Sequence, residues 1–194
     1  LRHEHIRFKQ INTDTSFSNF SFRFSLYNGE SKKVPMLQWN AEGSYIFKGE
    51  YQGDYNAKGD ATLFPGKGIS PYLNVSTGLV TPQYIYQHYY SNHFKWDNRF
   101  DKTGVISSEA GVKSRKYFLE AAGLFSTYNN VLYFDNTGIA KQSTSSLSVF
   151  GFHLSKDIHL RKWTITNKII YQQAPAAKEV RVPELISEHS VFYS

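Results

Sequence analysis

The sequence predicts an all-β fold, a transmembrane antiparallel up-and-down β-barrel, with this chain forming part of a larger one. Three observations predict it. Side chains alternate with a period of two, and charge is confined to one face of the longest alternating run. The composition is rich in aromatics but has no apolar run of helix length. Turn residues recur at short intervals.

The chain has 194 residues, no cysteine and six prolines, which fits one structural unit spanning residues 1–194. With 40% apolar residues and a mean hydropathy of -0.47, no stretch approaches the ~20 apolar residues of a membrane helix. Any membrane crossing is therefore by strands. Fourteen Tyr and fifteen Phe against a single Met favour pleated surfaces over helix interiors. The lack of cysteine removes disulfides, thiolate nucleophiles and thiolate zinc sites. The net charge is +6, but Lys and Arg are scattered rather than clustered, so no nucleic-acid partner is expected. The chain opens on Leu1-Arg2-His3 in an apparent strand without a signal-peptide pattern, which suggests a removed signal or an internal segment.

The first clear strand carries Phe20, Phe22, Phe24 and Leu26 against Ser21, Arg23 and Ser25, and runs to the turn dipeptide Asn28-Gly29. From Leu37 to Leu63 no odd position is charged. As one strand this run would measure roughly 90 Å, whereas a tilted membrane strand needs about 9–11 residues, so it folds back. A three-residue loop preserves parity, so Lys48-Gly49-Glu50 predicts a turn with Phe47 opposite Tyr51, and a turn nearer Gly53-Asp54, which explains the parity less well, is the alternative. The odd face then holds Leu37, Trp39, Tyr45, Phe47, Tyr51, Tyr55 and Leu63 as lipid-facing candidates. The even face holds Gln38, Asn40, Glu42, Lys48, Glu50, Asp54, Lys58 and Asp60 as pore-lining candidates. Further strands are expected at 69–81, 104–114, 116–128, 145–155, 160–172 and 180–194. A shorter alternation, Phe94, Trp96 and Phe100 against charged neighbours, makes about a dozen strands in total, the spacing of a meander or barrel.

A soluble sandwich also alternates, but two features favour a membrane wall. The apolar face is built from Tyr, Phe, Trp, Gly and Ala rather than Val, Ile and Leu, as where rings cover glycines on a lipid-facing surface. The opposite face carries both signs of charge over bilayer-compatible lengths, and Lys or Arg on lipid costs about 2–4 kcal/mol at midplane. The tract with Tyr84, Tyr86, Tyr89, Tyr90 and Trp96 is a candidate interfacial girdle.

The segment Thr81-Pro82-Gln83-Tyr84-Ile85-Tyr86-Gln87-His88-Tyr89-Tyr90-Ser91-Asn92-His93-Phe94-Lys95-Trp96-Asp97-Asn98 resembles a characteristic stretch of the Bacteroidetes putative porin family. So do Leu132-Tyr133-Phe134-Asp135, Asn167-Lys168-Ile169-Ile170-Tyr171-Gln172 and Arg181-Val182-Pro183-Glu184-Leu185. The resemblance runs in order over about residues 43–194. It implies a large barrel in the bacterial outer membrane, in contact with outer-membrane lipid and lipopolysaccharide. Family members look longer than this chain, which begins and ends inside apparent strands, so the resemblance also implies a portion of the barrel.

No catalytic residue is assigned, and no cofactor is expected. His3 and His5 share a strand face without a third ligand, so no metal site is predicted there. His88 and His93 have no acid or nucleophile at a diagnostic spacing. Gly66-Lys67-Gly68 lacks the spacing of a phosphate loop and reads as a turn. The leading functional expectation is passive diffusion of small hydrophilic solutes, with no enzymatic activity. A non-conducting barrel accompanying a secretion or uptake complex, and a soluble secreted glycan-binding sandwich, are the alternatives.

Overall fold

A computed structural model describes residues 1–10, 13–28, 36–65, 68–175 and 182–193. Gly29 of the predicted Asn28-Gly29 turn, Gly66 and Lys67 of the predicted Gly66-Lys67-Gly68 turn, Val180, Arg181 and Ser194 lie outside the described residues.

The elements in chain order are β1 (Arg2–Gln10), β2 (Thr13–Tyr27), β3 (Leu37–Lys48), β4 (Tyr55–Leu63), β5 (Ile69–Val80), α1 (Tyr84–Gln87), β6 (His88–Tyr90), β7 (Lys95–Asp97), β8 (Thr103–Ser114), β9 (Leu119–Asn129), β10 (Leu132–Phe134), β11 (Ala140–Gln142), β12 (Leu147–Leu160), β13 (Trp163–Gln173) and β14 (Leu185–Tyr193). Ten of the strands form one sheet in the order β1-β2-β3-β4-β5-β8-β9-β12-β13-β14, and every neighbouring pair is antiparallel. This is the predicted up-and-down meander. The predicted closure is not observed: β1 and β14 each have one neighbour, so the sheet is open among the described residues.

The expected strands after Ile69 appear within a few residues of their predicted bounds. The alternation around Phe94 and Trp96 is different. It contributes only the short β7, paired with β6 in a separate two-stranded sheet. β10 and β11 form a second such hairpin.

The turn between β3 and β4 is longer than the three residues expected. Tyr45 pairs with Tyr55, not Phe47 with Tyr51. Two glycines take positive φ there, Gly49 at 125° and Gly53 at 86°, which lets the loop hold itself through Gln52 N to Gly49 O and Asp54 N to Tyr51 O. Gly49 also has no room for a side chain, since a Cβ would lie 2.3 Å from Ser18 O. Odd positions still pair with odd, from Tyr45↔Tyr55 to Leu37↔Leu63, so each face keeps its character through the turn.

Among the described residues the only buried apolar side chains are those of Tyr72, Pro82, Ala122 and Ala140. A single-layer sheet has nothing above its apolar face to cover it. A sandwich needs a second sheet about 10 Å away, and the two further sheets have only two strands each.

Candidate functional site

The sheet has two chemically distinct faces. One presents Leu37, Trp39, Tyr45 and Phe47 of β3 and Tyr55 and Leu63 of β4, each between 38% and 43% exposed. Register carries this face across the sheet through Phe22, Phe24 and Leu26 of β2, Leu73 and Val75 of β5, Ile106 of β8, Phe125 of β9, Phe152 and Leu154 of β12 and Ile169 of β13. The ring of Phe24 lies over Gly43, where an added Cβ would come within 2.6 Å of it, as a covering ring on a glycine-containing wall requires. Leu37 to Phe47 is ten steps of β3, about 33 Å of strand and roughly 25 Å of height at a tilt of about 40°. An outward polar row, Lys156, Asn167 and His189, interrupts this face near β14. Lys156 there extends to the Tyr117 carbonyl at the end of the sheet.

The opposite face is polar and cross-linked between strands. Asn40 donates to Asp60 at 3.3 Å, and Lys58 lies 4.0 Å from Glu42. Asn74 donates to Glu109 at 3.4 Å, and Ser126 donates to Ser107 at 2.9 Å. An open groove of about 430 Å³ follows this face, with Lys58, Asp60, Asn74, Ser107, Glu109 and Ser126 among its lining residues. Beside it Tyr72, Lys113, Glu120 and His153 form a tighter cluster. Exposed pairs of this kind contribute little to stability, about 0–1 kcal/mol each. Their effect is to place both signs of charge on one wetted surface.

One end of the sheet carries the two long excursions, residues 81–102 and 130–146. The first reaches back from β5 to β1 and β2 across the polar face. Tyr84 meets Phe8 at 4.8 Å and Phe17 at 6.5 Å between ring centroids, and the Gln10 amide donates to His88 O and accepts from Tyr90 N. Contacts between strands so far apart in the order require the sheet to curve toward its polar side. The two excursions also pack on each other, through Tyr86 and Trp96 against Phe134 and through Asn98 donating to Ala140 O. Asp54 anchors the first at both ends. It accepts from Thr81 N and Oγ1 at 2.9 and 2.7 Å, and Lys102 Nζ lies 2.8 Å away.

Asp135 orders the tip of the second excursion. Its carboxylate accepts from Thr137 Oγ1 at 2.6 Å, from Lys141 Nζ at 3.0 Å and from the Thr137 and Ile139 amides. The Thr137 hydroxyl, then Lys141, then the Ile139 amide hold its carboxyl well below the ordinary value of 3.8. A group depressed in the folded state contributes its stabilisation above its unfolded pKa and loses it as pH falls through the folded one. Asp135→Asn is therefore expected to speed amide exchange at Thr137 and Ile139 at neutral pH, and strong acid is expected to do the same to the unsubstituted protein. Unchanged protection in the variant would remove the carboxylate from this role.

Of the predicted polar-face residues, Gln38, Asn40, Glu42, Lys58 and Asp60 fall together on β3 and β4. Lys48 ends β3, and Glu50 lies in the turn. Asp54 is buried at 6% exposure as an anchor, not a lining group. Tyr51 leaves the apolar face for the turn, where its ring meets Phe17 edge-on. Tyr84, Tyr86, Tyr89, Tyr90 and Trp96 form no band on the outer face. They belong to the first excursion, because the tract pairs with itself in β6 and β7 and Tyr84 docks on the polar side. His3 and His5 do share a face, His3 stacked on Phe20 and His5 Nδ1 3.0 Å from Ser18 Oγ. The Glu109, Glu120 and His153 grouping was not anticipated, since its members sit on three strands that only register brings together.

Comparison with curated proteins finds no match. A family model described as putative porin matches residues 6–194, which takes in all the described strands from Ile6 onward. With its ten-strand antiparallel meander of one apolar and one charged face, this chain belongs to the putative porin family.

Proposed function

We propose that the chain forms part of the wall of an outer-membrane pore that passes small hydrophilic solutes by passive diffusion. The observation that carries the reading is the segregation of faces from β3 through β9, with apolar and aromatic side chains and no charge on one side and linked charges on the other. Leu37, Trp39, Tyr45, Phe47, Tyr55 and Leu63 would face lipid. Gln38, Asn40, Glu42, Lys58 and Asp60 would line the lumen, with Lys48 and Glu50 at its rim. Selection would follow from width and from a field of mixed sign, without turnover chemistry.

The free edges of β1 and β14 cannot stay unpaired in hydrocarbon, so further strands would close the barrel. The connections at the end opposite the excursions, residues 28–36, 64–68, 115–118 and 161–162, are all shorter than either excursion. By the usual asymmetry of such barrels that end would be periplasmic. The excursions and the polar outward pairs His5 with Ser18 and Arg7 with Asp14 would then meet lipopolysaccharide.

Purified full-length protein in planar bilayers is expected to give discrete ohmic conductance steps. Asp60→Lys is expected to move its reversal potential toward anion selectivity. Folded, inserted protein that carries no current would overturn the pore reading.

A further inference from the structure

The cluster beside the groove has the donor set of a metal site. Glu109 of β8, Glu120 of β9 and His153 of β12 each offer one ligand atom, and these atoms all lie within 4.8 Å of one another. The His153 side chain is only 10% exposed, and its Nε2 points at Glu120 Oε1 from 3.4 Å. That approach is too long for a normal hydrogen bond, and neither ring nitrogen makes one among the described residues. The same separation suits two ligands of one ion, since tetrahedral bonds of about 2.0–2.1 Å set their ligand atoms about 3.3 Å apart.

Tyr72 shapes the carboxylate side. Its Oη lies 2.7 Å from Glu109 Oε1 and 2.8 Å from Glu120 Oε1. A phenol has one hydrogen to give, so with both carboxylates ionised one of these two short oxygen contacts is left without a proton between its atoms. A cation between the carboxylates relieves that repulsion. Lys113 does so only in part, since its Nζ reaches Glu120 at 3.3 Å but sits over the Tyr72 ring at 4.4 Å from the centroid.

We propose that Glu109, Glu120 and His153 bind a divalent first-row transition-metal ion on the polar face, with Tyr72 positioning both carboxylates. Two carboxylates and one imidazole suit borderline ions such as Zn²⁺ better than Mg²⁺ or Ca²⁺, which prefer all-oxygen sites. Three protein ligands leave one position open to water or to a passing solute anion.

Zinc chloride titrated into tag-free full-length protein in detergent, followed by calorimetry, is expected to show one equivalent bound. His153→Ala and Glu120→Gln are each expected to weaken binding at least tenfold, while Asp60→Asn on the same face leaves it unchanged. Lys113→Ala removes a competing cation without touching a ligand and is expected to bind zinc more tightly, which keeps the test open if a ligand variant does not fold. No zinc bound by the native protein, native affinity in His153→Ala, or no tightening in Lys113→Ala would each overturn the assignment. The site depends on the pairing of β5, β8, β9 and β12 and not on an open lumen. A protein that binds zinc but conducts nothing retains the site and loses the pore, and the converse result does the opposite.

Discussion

Arginine at Ala41 is expected to cost about 2–4 kcal/mol of folding free energy in a bilayer, whereas arginine at the adjacent Asn40 is expected to cost little. Both residues lie near the middle of β3, one step apart, and their side chains leave opposite faces of the sheet. Ala41 is flanked by Trp39 and Gly43 on the apolar face and pairs with Gly59. A guanidinium there would have no polar partner within the band. At Asn40 the same group would meet Asp60, already in hydrogen-bond contact with the native amide. Denaturant unfolding of the two variants in lipid vesicles measures the difference directly. Equal costs would mean that the apolar face does not contact lipid, which removes the membrane reading whatever the conductance shows.

Loss of the Asp54 carboxylate is expected to have the next largest effect. Asp54→Ala removes the acceptor for Thr81 N, for Thr81 Oγ1 and for Lys102 at once, and Lys102 keeps only the Gln52 carbonyl. Hydrogen bonds to a buried charge contribute about 1.5–3 kcal/mol. Since the Lys102 side chain is 30% exposed, water makes up part of the loss, and about 2–3 kcal/mol is the expected destabilisation. The effect should be local. Amides of the first excursion are expected to exchange faster while those of β3 and β4 keep their protection. Uniform loss of protection would instead make Asp54 a determinant of the whole sheet.

The face assignment over β3 and β4 was legible because a period of two survives any turn that preserves parity, and the observed longer turn preserves it as the expected one did, although Tyr51 and Asp54 within that turn leave their expected faces. The turn itself was not legible. Gly49 and Gly53 both permit positive φ, and local sequence does not say whether one or both are used. The Tyr84–Trp96 tract misled for a related reason: alternating rings read the same in a wall strand and in a hairpin folded across the sheet. Only Tyr84 against Phe8 and Gln10 against His88, pairs far apart in sequence, reveal which it is. Asp54 read as one more even-face carboxylate because its burial depends on Thr81 and Lys102 arriving from elsewhere. Tyr72, Glu109, Glu120 and His153 stood as isolated polar residues in noisier strands, and their convergence is a product of three registers.

The double anchoring of residues 81–102 also constrains the order of assembly. Asp54 is 27 residues from Thr81 and 48 from Lys102, and Gln10 is 78 from His88. Contacts of such separation pay a loop-closure entropy that neighbouring hairpins do not. The excursion's docking surface, on β1, β2 and the β3–β4 turn, is complete only once β1 to β4 have paired. The meander is therefore expected to form first, and its polar face to be covered by the excursion last.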